Sequence, residues 1–552
     1  MAANPISILP FEIWNSGVLS DQEIAFQLES LIAPHISAQS YPSFDANVKT
    51  QFSHWSIQKY PSAEPVLQVA ILKTFKALFR DTDNLDALVT SNFSQFIVAA
   101  AALIESGQNV ENFEVTTEAC RCLVNGLYQS KAVRDGFMIE NCIYVTHLAD
   151  RIFTTSLQIF NPTVQQPIFP EYPQDKLLEL LHLDLRITFV ITAIAKEAQL
   201  ALAEHTRIFV GVVRAFVDRM LKAIENPANE ALPKSLECST EALRILFNVY
   251  CHSTDPEYEA ATACAAQCSL IIRSNGLPVS LKQDAVNVLT TIASFVHDLC
   301  PAKTTIDDTT NGSTAIIYEG HDVTFADALI NLLEKVMNQT TEATIEHLAT
   351  FFIVLLQICK DVKAVRHYCR MRILPPLHAS DVEKPPEEGT TLRNRLIKIM
   401  SQSVGECKKL IAEVLFVLCK RSVPRMVKYC GFGHAAGLLA DYGFLGRLSE
   451  QRHASDSEDS ETDDYKQVEP NVNAVTGFVQ PPTINPFEGM SEEQKEYEAM
   501  KLANTMDKLL DAGVFVPGRI GVDGTPQAIS HVNELVKNIQ AQKSDESDAD
   551  EI

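Results

Sequence analysis

GFGHAAG (Gly431–Gly437) is the nearest this chain comes to a phosphate-binding loop. A G-x-G-x-x-G loop needs glycine at the third marked position, where Ala436 stands, and it should follow a strand, whereas this one follows a helical pattern. No G-x-x-x-x-G-K-[ST] sequence occurs. Cys264 and Cys268 have C-x-x-x-C spacing on a helix, with no paired His or Cys downstream to complete a zinc set. No Ser/His/Asp or Cys/His order is specific enough to name a nucleophile. The expectation is a protein with no catalytic residues, no metal and no cofactor.

Other groups suit binding. Asn125 in CLVNGL, Asn248 in ILFNV and Asn287 in AVNVL lie within apolar helical patterns, where asparagine is intrinsically unfavourable. A side-chain amide offers a donor and an acceptor and so matches a peptide unit. These asparagines either line a groove for an extended peptide or sit satisfied between helices, holding a loop. Arg80 follows an apolar helix, and Arg121, Arg186 and Arg244 fall inside others. Arg186 has Asp184 two residues away, a spacing that does not face on a helix, so a partner on another helix is expected. Arg80 closes a helix and is the better candidate to receive a carboxylate.

A third group is regulatory. SDSEDSETDDYK (Ser455–Lys466) places Glu458 three residues after Ser455 and Asp463 three after Ser460. That is the S-x-x-[DE] pattern of an acidophilic, casein-type kinase. Each phosphate adds about −1.5 to −2 charge and pairs with Arg or Lys. Lys408, Lys409, Lys420, Arg421, Arg425 and Lys428 lie just upstream. Phosphorylated Ser455 and Ser460 are expected to dock on Arg421, Arg425 and Lys428.

The elements that must position these groups are helices. Leu67, Ile71, Phe75 and Leu78 recur at helical spacing, as do Leu178, Leu181, Leu185, Ile187 and Val190. Similar stripes run through 236–250, 281–299, 325–337, 345–359, 392–400 and 407–418. No period-2 strand series stands out. Pro and Gly clusters break the chain at 162–173, 226–233, 276–278, 301–320 and 375–389. The expectation is an all-α chain: an armadillo/HEAT-like helical-repeat superhelix over 1–430, growing by stacking and leaving a concave face. A Gly-containing turn and an extended acidic linker follow over 431–490. Then comes an amphipathic helix over 491–512, with Ser491 and Gln494 as a capping box. Its Ala499, Leu502, Ala503, Met506, Leu509 and Leu510 share one face. Residues 513–552 are expected to be a flexible acidic tail.

Of 552 residues, 46% are hydrophobic, enough for a large core. A net charge of −24 argues against nucleic acid or an anionic membrane as the main partner. Thirteen scattered cysteines, an odd number, suit reduced cytosolic thiols rather than a disulfide framework. The N-terminus lacks a signal-peptide pattern. The most apolar run, Leu348–Cys359, is too short to span a bilayer, so no direct membrane insertion is expected.

VPRMVKYCGFGHAAGLLA (Val423–Ala440) and EGMSEEQKEYEAMKL (Glu488–Leu502) closely resemble segments of the synembryn family, also called resistance to inhibitors of cholinesterase 8. Weaker matches, among them ALFRD (Ala77–Asp81) and LDLRITFVITA (Leu183–Ala193), extend the resemblance over most of the chain. The resemblance implies a cytoplasmic chaperone and guanine-nucleotide exchange factor for heterotrimeric G-protein α subunits free of βγ. It implies a monomer recruited to the cell cortex through its client. It implies that the client's C-terminal helix enters a groove bearing Arg80, Asn125, Asn248 and Asn287. Met500, Leu502, Met506 and Leu509 would then contact its nucleotide-switch region. The alternative is a generic armadillo scaffold for an extended peptide of another partner. Import receptors of that kind carry a ladder of Trp and Asn, whereas this chain has only Trp14 and Trp55.

Overall fold

The computed structural model describes residues 10–33, 41, 44–107, 110–161, 172–225, 232–253, 255–303, 315–339, 341–402, 405–445, 462–480, 489–513, 518–520 and 526–528. The described chain is mostly α-helical and forms two compact units, Met1–Leu299 and Cys300–Ile552.

The first unit runs α1 (Phe11–Asn15), α2 (Asp21–Ile32), α3 (Ala46–Lys59), α4 (Pro65–Leu78) and α5 (Phe93–Ala100). It continues through α6 (Phe113–Gln129), α7 (Lys131–Phe137), α8 (Ile139–Phe160), α9 (Gln174–Ile194) and α10 (Lys196–Ala201). It ends with α11 (Thr206–Glu225), α12 (Leu232–Cys251), α13 (Tyr258–Arg273) and α14 (Val279–Thr291). Local chemistry sets the helix starts. Pro65 occupies the first turn of α4, where a missing N–H costs nothing. Asn112 Oδ1 accepts from the Val115 N–H at 3.1 Å and caps α6.

Packing follows the apolar stripes. Leu67, Ile71, Phe75 and Leu78 of α4 are fully buried, and each such side chain contributes about 1.5–3 kcal/mol relative to exposure. Helices α4, α6, α9, α12 and α14 pack in succession, each on the next. A second row, α5, α7, α8, α11 and α13, packs in the same order and backs the first. The rows are pinned by a buried ion pair. Arg151 of α8 donates Nε to Asp184 Oδ2 at 2.8 Å and Nη2 to Asp184 Oδ1 at 2.6 Å. Its Nη1 reaches the carbonyls of Ala101 at 2.6 Å and Ala102 at 3.1 Å, just past α5.

In the second unit lie α15 (Thr324–Met337), α16 (Ala349–Asp361), α17 (Lys363–Ile373), α18 (Leu392–Gln402) and α19 (Glu406–Leu418). They are followed by α20 (Val423–Cys430), α21 (Phe432–Asp441), α22 (Asp463–Val468) and α23 (Glu492–Asp511). Helix α19 is central: α16, α17, α18, α20 and α21 all pack on it. Two short antiparallel hairpins, Ile317–Tyr318 with His321–Asp322 and Gly518–Ile520 with Pro526–Ala528, are strand pairs the periodicity does not reveal.

The sequence places a linker over 431–490, and the described residues there differ from that expectation. Helix α21 continues the packing past Cys430, and 462–480 returns onto this unit. Tyr465 is buried, Phe432 N–H donates to the Ala474 carbonyl at 2.8 Å, and Val479 N–H donates to Val382 at 2.8 Å. A few anchored groups suffice to fix a segment whose composition is that of a linker. Among the described residues no helix is long and apolar enough to cross a membrane.

Candidate functional site

At its C-terminal end α4 opens a cleft of about 390 Å³ lined by Glu29, Ile32, Lys73, Lys76, Ala77 and Arg80. Arg80 is exposed there. Its position is fixed from behind by the next residue. Asp81 is buried and takes the equally buried Lys49 Nζ at 3.2 Å and the Tyr41 N–H at 3.1 Å. Lys73 pairs with Glu29 at 2.8 Å, and Lys76 pairs with Glu118 of α6. Lys73, Lys76 and Arg80 together border the cleft, and clustered cations of this kind suit a carboxylate.

From that cleft a line of cross-helix pairs runs along the α4–α14 row. Arg121 of α6 holds Glu118 at 2.9 Å and reaches Glu179 of α9. Arg186 of α9 pairs with Glu241 of α12 at 2.6 Å, the cross-helix partner its spacing calls for. Arg244 of α12 approaches Asp284 of α14 at 3.8 Å. Arg186 and Arg244 also stack at 5.4 and 5.6 Å from the Phe189 ring. Burial raises the Asp284 carboxyl to about 6, although Arg244 pulls it down.

The asparagines lie on the same row. Asn125 Nδ2 donates to the Lys76 carbonyl at 3.1 Å, and Asn248 Nδ2 donates to Thr192 Oγ1 at 3.1 Å. Each therefore ties its helix to the preceding one. Both remain half-buried, as does Asn287 on α14. Two stretches share one design: EACRCLVN (Glu118–Asn125) and EALRILFN (Glu241–Asn248). In each, the glutamate takes a cation from the preceding helix, the arginine reaches the next helix, and the asparagine donates back. Glu118, Glu179, Glu241 and Asp284 are the partners that residue-by-residue inspection misses. The repeated octapeptide is the signal that reveals them.

Trp14 and Trp55 are buried against each other, with ring centroids 4.8 Å apart. They belong to a core and not to a peptide-binding ladder.

In the second unit Gly431 is needed for close approach. Its φ is +76°, and a Cβ there would fall 2.9 Å from the Thr476 carbonyl carbon. GFGHAAG is thus a helix junction that receives the backbone of 474–477. Of the three residues expected to hold a phosphosegment, Arg421 is exposed, Arg425 is buried, and Lys428 is half-buried with Nζ 4.6 Å from the Tyr465 ring centre. They do not form one surface ridge. Ser455 and Ser460 lie outside the described residues. Immediately after them Thr462 donates to the Leu377 carbonyl, and Asp464 accepts from the Ala379 N–H at 3.0 Å. That backbone donor holds the Asp464 carboxyl down at about 2.

Helix α23 begins with the expected capping box, Gln494 N–H to Ser491 Oγ at 3.3 Å and Ser491 N–H to Gln494 Oε1 at 3.2 Å. Tyr497, Met500 and Leu502 are 67%, 62% and 62% exposed, and Leu509 is also exposed, while Met506 is half-buried. Among the described residues no cluster of His, Cys, Asp and Glu could hold a metal ion.

The family model described as "Guanine nucleotide exchange factor synembryn" matches residues 71–525, a span that contains Lys73, Lys76 and Arg80 of the cleft, both octapeptides and α23. The chain belongs to the synembryn, or Ric8, family. Chaperone ric-8 of Caenorhabditis elegans is 34% identical over 87% of this chain and 88% of its own length. Chaperone Ric-8A of Danio rerio is 31% identical over 88% of this chain and 89% of its own, and Ric-8A of Bos taurus is 30% identical over 88% of each. In synembryn terms the described chain offers a charged helix row, an open amphipathic helix and no metal centre.

Proposed function

We propose that this synembryn-family chain is a guanine-nucleotide exchange factor and folding chaperone for heterotrimeric G-protein α subunits. The two helix rows of the first unit are read as an armadillo-like repeat. The client's C-terminal tail and last helix lie along the α4–α14 row. Arg80, with Lys73 and Lys76 beside it, receives the terminal carboxylate. Asn125, Asn248 and Asn287 offer the amide faces that remain to the tail's backbone. Met500, Leu502, Met506 and Leu509 of α23 brace the client's switch region.

What supports this reading is the cation-bordered cleft at the end of a row of half-buried and buried paired charges, within a chain of this family. Exchange is then a matter of linkage. A protein that prefers the nucleotide-free client lowers that client's GDP affinity by the same factor. GTP binding favours a client state that is held poorly, and the complex separates. The same preference stabilises an empty or newly made α subunit, so one surface serves as exchange factor and chaperone. Phosphorylation of Ser455 and Ser460 by an acidophilic kinase adds charge just ahead of the anchored Thr462 and tightens the segment through Arg421 and Lys428.

The binding mode is tested with a peptide copy of an α subunit's C-terminal tail, free or amidated at its terminus. Arg80→Ala should weaken the free-acid peptide by at least about tenfold, the low end of a charge-assisted hydrogen bond of roughly 1.5–3 kcal/mol, and leave the amidated one unchanged. Equal effects on both peptides would refute carboxylate capture.

A further inference from the structure

Helices α19 and α21 border a cleft of about 730 Å³ whose apolar lining includes Met400, Leu410, Ala412, Leu438 and Tyr442. One wall carries Gly433 and Gly437, four residues apart and so on one helix face. A Cβ at Gly437 would meet nothing within 4 Å, and at Gly433 only the Val475 carbonyl oxygen at 3.3 Å. The backbone of α21 is therefore open to close approach by another helix. Lys408 and Lys409 stand exposed on the rim, Lys409 paired with Glu406 at 2.8 Å.

Helix α23 complements this groove. It carries Ala499 and Ala503 four residues apart, flanked on the same face by Leu502, Met506 and Leu510. Small residues on both helices let backbones meet closely, and larger apolar neighbours fill the sides. Glu492, Glu493 and Glu496 at its N-terminal end oppose the sign of Lys408 and Lys409. The tether also fits. The segment leading to α23 runs beside the groove, where Gly433 N–H donates to the Val475 carbonyl at 2.9 Å. From Gln480 the ten residues 481–490 lead to Ser491 and can span on the order of 35 Å, well over the roughly 15 Å length of α21.

We propose that, in the partner-free protein, α23 docks in cis into the α19–α21 groove, with Ala499 and Ala503 against Gly433 and Gly437. Docking covers Leu502, exposed in this structure, and completes the burial of Ala503, Met506 and Leu510, which are half-buried here. It also makes the helix unavailable to any other surface until a partner competes it away. The docking stands independently of what that partner is.

Gly437→Cys with Ala503→Cys in the full-length chain, under mild oxidation, tests this. The Cβ atoms must come within about 4.5 Å to form a disulfide. An intramolecular cross-link formed in high yield at any protein concentration, and absent when Lys508→Cys replaces Ala503→Cys, is the expected result. A cross-link only between chains would place the helix on a second copy and overturn the proposal, as would no cross-link. Hydrogen exchange is the independent check. Gly437→Leu fills the groove without touching α23, so exchange across residues 495–506 should accelerate at least tenfold. Unchanged exchange, with the helical circular dichroism intact, would also overturn it.

Discussion

Arg151→Met probes the ion pair that joins the two helix rows. Asp184 is completely buried and Arg151 nearly so. Removing the guanidinium strands a carboxylate that accepted two charge-assisted bonds at 2.6 and 2.8 Å, and it unpairs the Ala101 and Ala102 carbonyls. Breaking a buried pair by deleting one partner costs about 3–5 kcal/mol. Both tryptophans lie in the Met1–Leu299 unit, so tryptophan fluorescence reports its unfolding. The urea midpoint should fall by on the order of 1 M. Adding Asp184→Leu should recover at least half the loss, since it removes the stranded charge. The deficit should also depend on pH with a definite sign. Burial pushes the Asp184 carboxyl up and Arg151 opposes this. Without Arg151 the folded state favours the protonated acid more strongly, so the variant should be least stable at high pH and recover as pH falls. A loss below about 1 kcal/mol, or no rescue by the second substitution, would refute the structural role assigned to the pair.

Asp284 has a folded-state pKa of about 6, above its ordinary value, because burial outweighs Arg244. Its contribution to stability is therefore present below pH 4 and lost as pH rises to 6. Asp284→Asn should flatten that part of the pH–stability curve and raise the melting temperature at pH 7, as thermal unfolding across pH 4–7 would show. Gly431→Ala forces a Cβ into the Thr476–Gly477 backbone at a positive φ. It should cost about 1–3 kcal/mol and speed hydrogen exchange over 472–480. Asn125→Ala and Asn248→Ala each remove one inter-helix hydrogen bond and should each cost about 1 kcal/mol in urea unfolding.

The helices are legible from their sequence because burial imposes a 3.6-residue period, as Leu67, Ile71, Phe75 and Leu78 show. What joins the helices is much less so. Nothing local to Arg186 marks Glu241, 55 residues away, as its partner. Only the matched octapeptides EACRCLVN and EALRILFN carry that information, because both must reach the helix before and the helix after. The asparagines stand out as unusual helix residues, yet their sequence does not say that an amide N–H already binds a neighbouring helix. The return of 462–480 is hidden for another reason. Its anchors are three closely spaced side chains, Thr462, Asp464 and Tyr465, together with backbone groups, too few to mark its composition. Gly431 lies in a near-match to a nucleotide loop because glycine serves any close backbone approach. Here the approaching group is residues 476–477 of the same chain.

The most direct test of the account is GDP release from a purified, GDP-loaded inhibitory-class α subunit, with and without this protein. The account predicts faster release and a stable nucleotide-free complex that GTP dissolves. It further predicts that Arg80→Ala lowers both the rate and the yield of that complex. Unchanged release with no complex formed would contradict it.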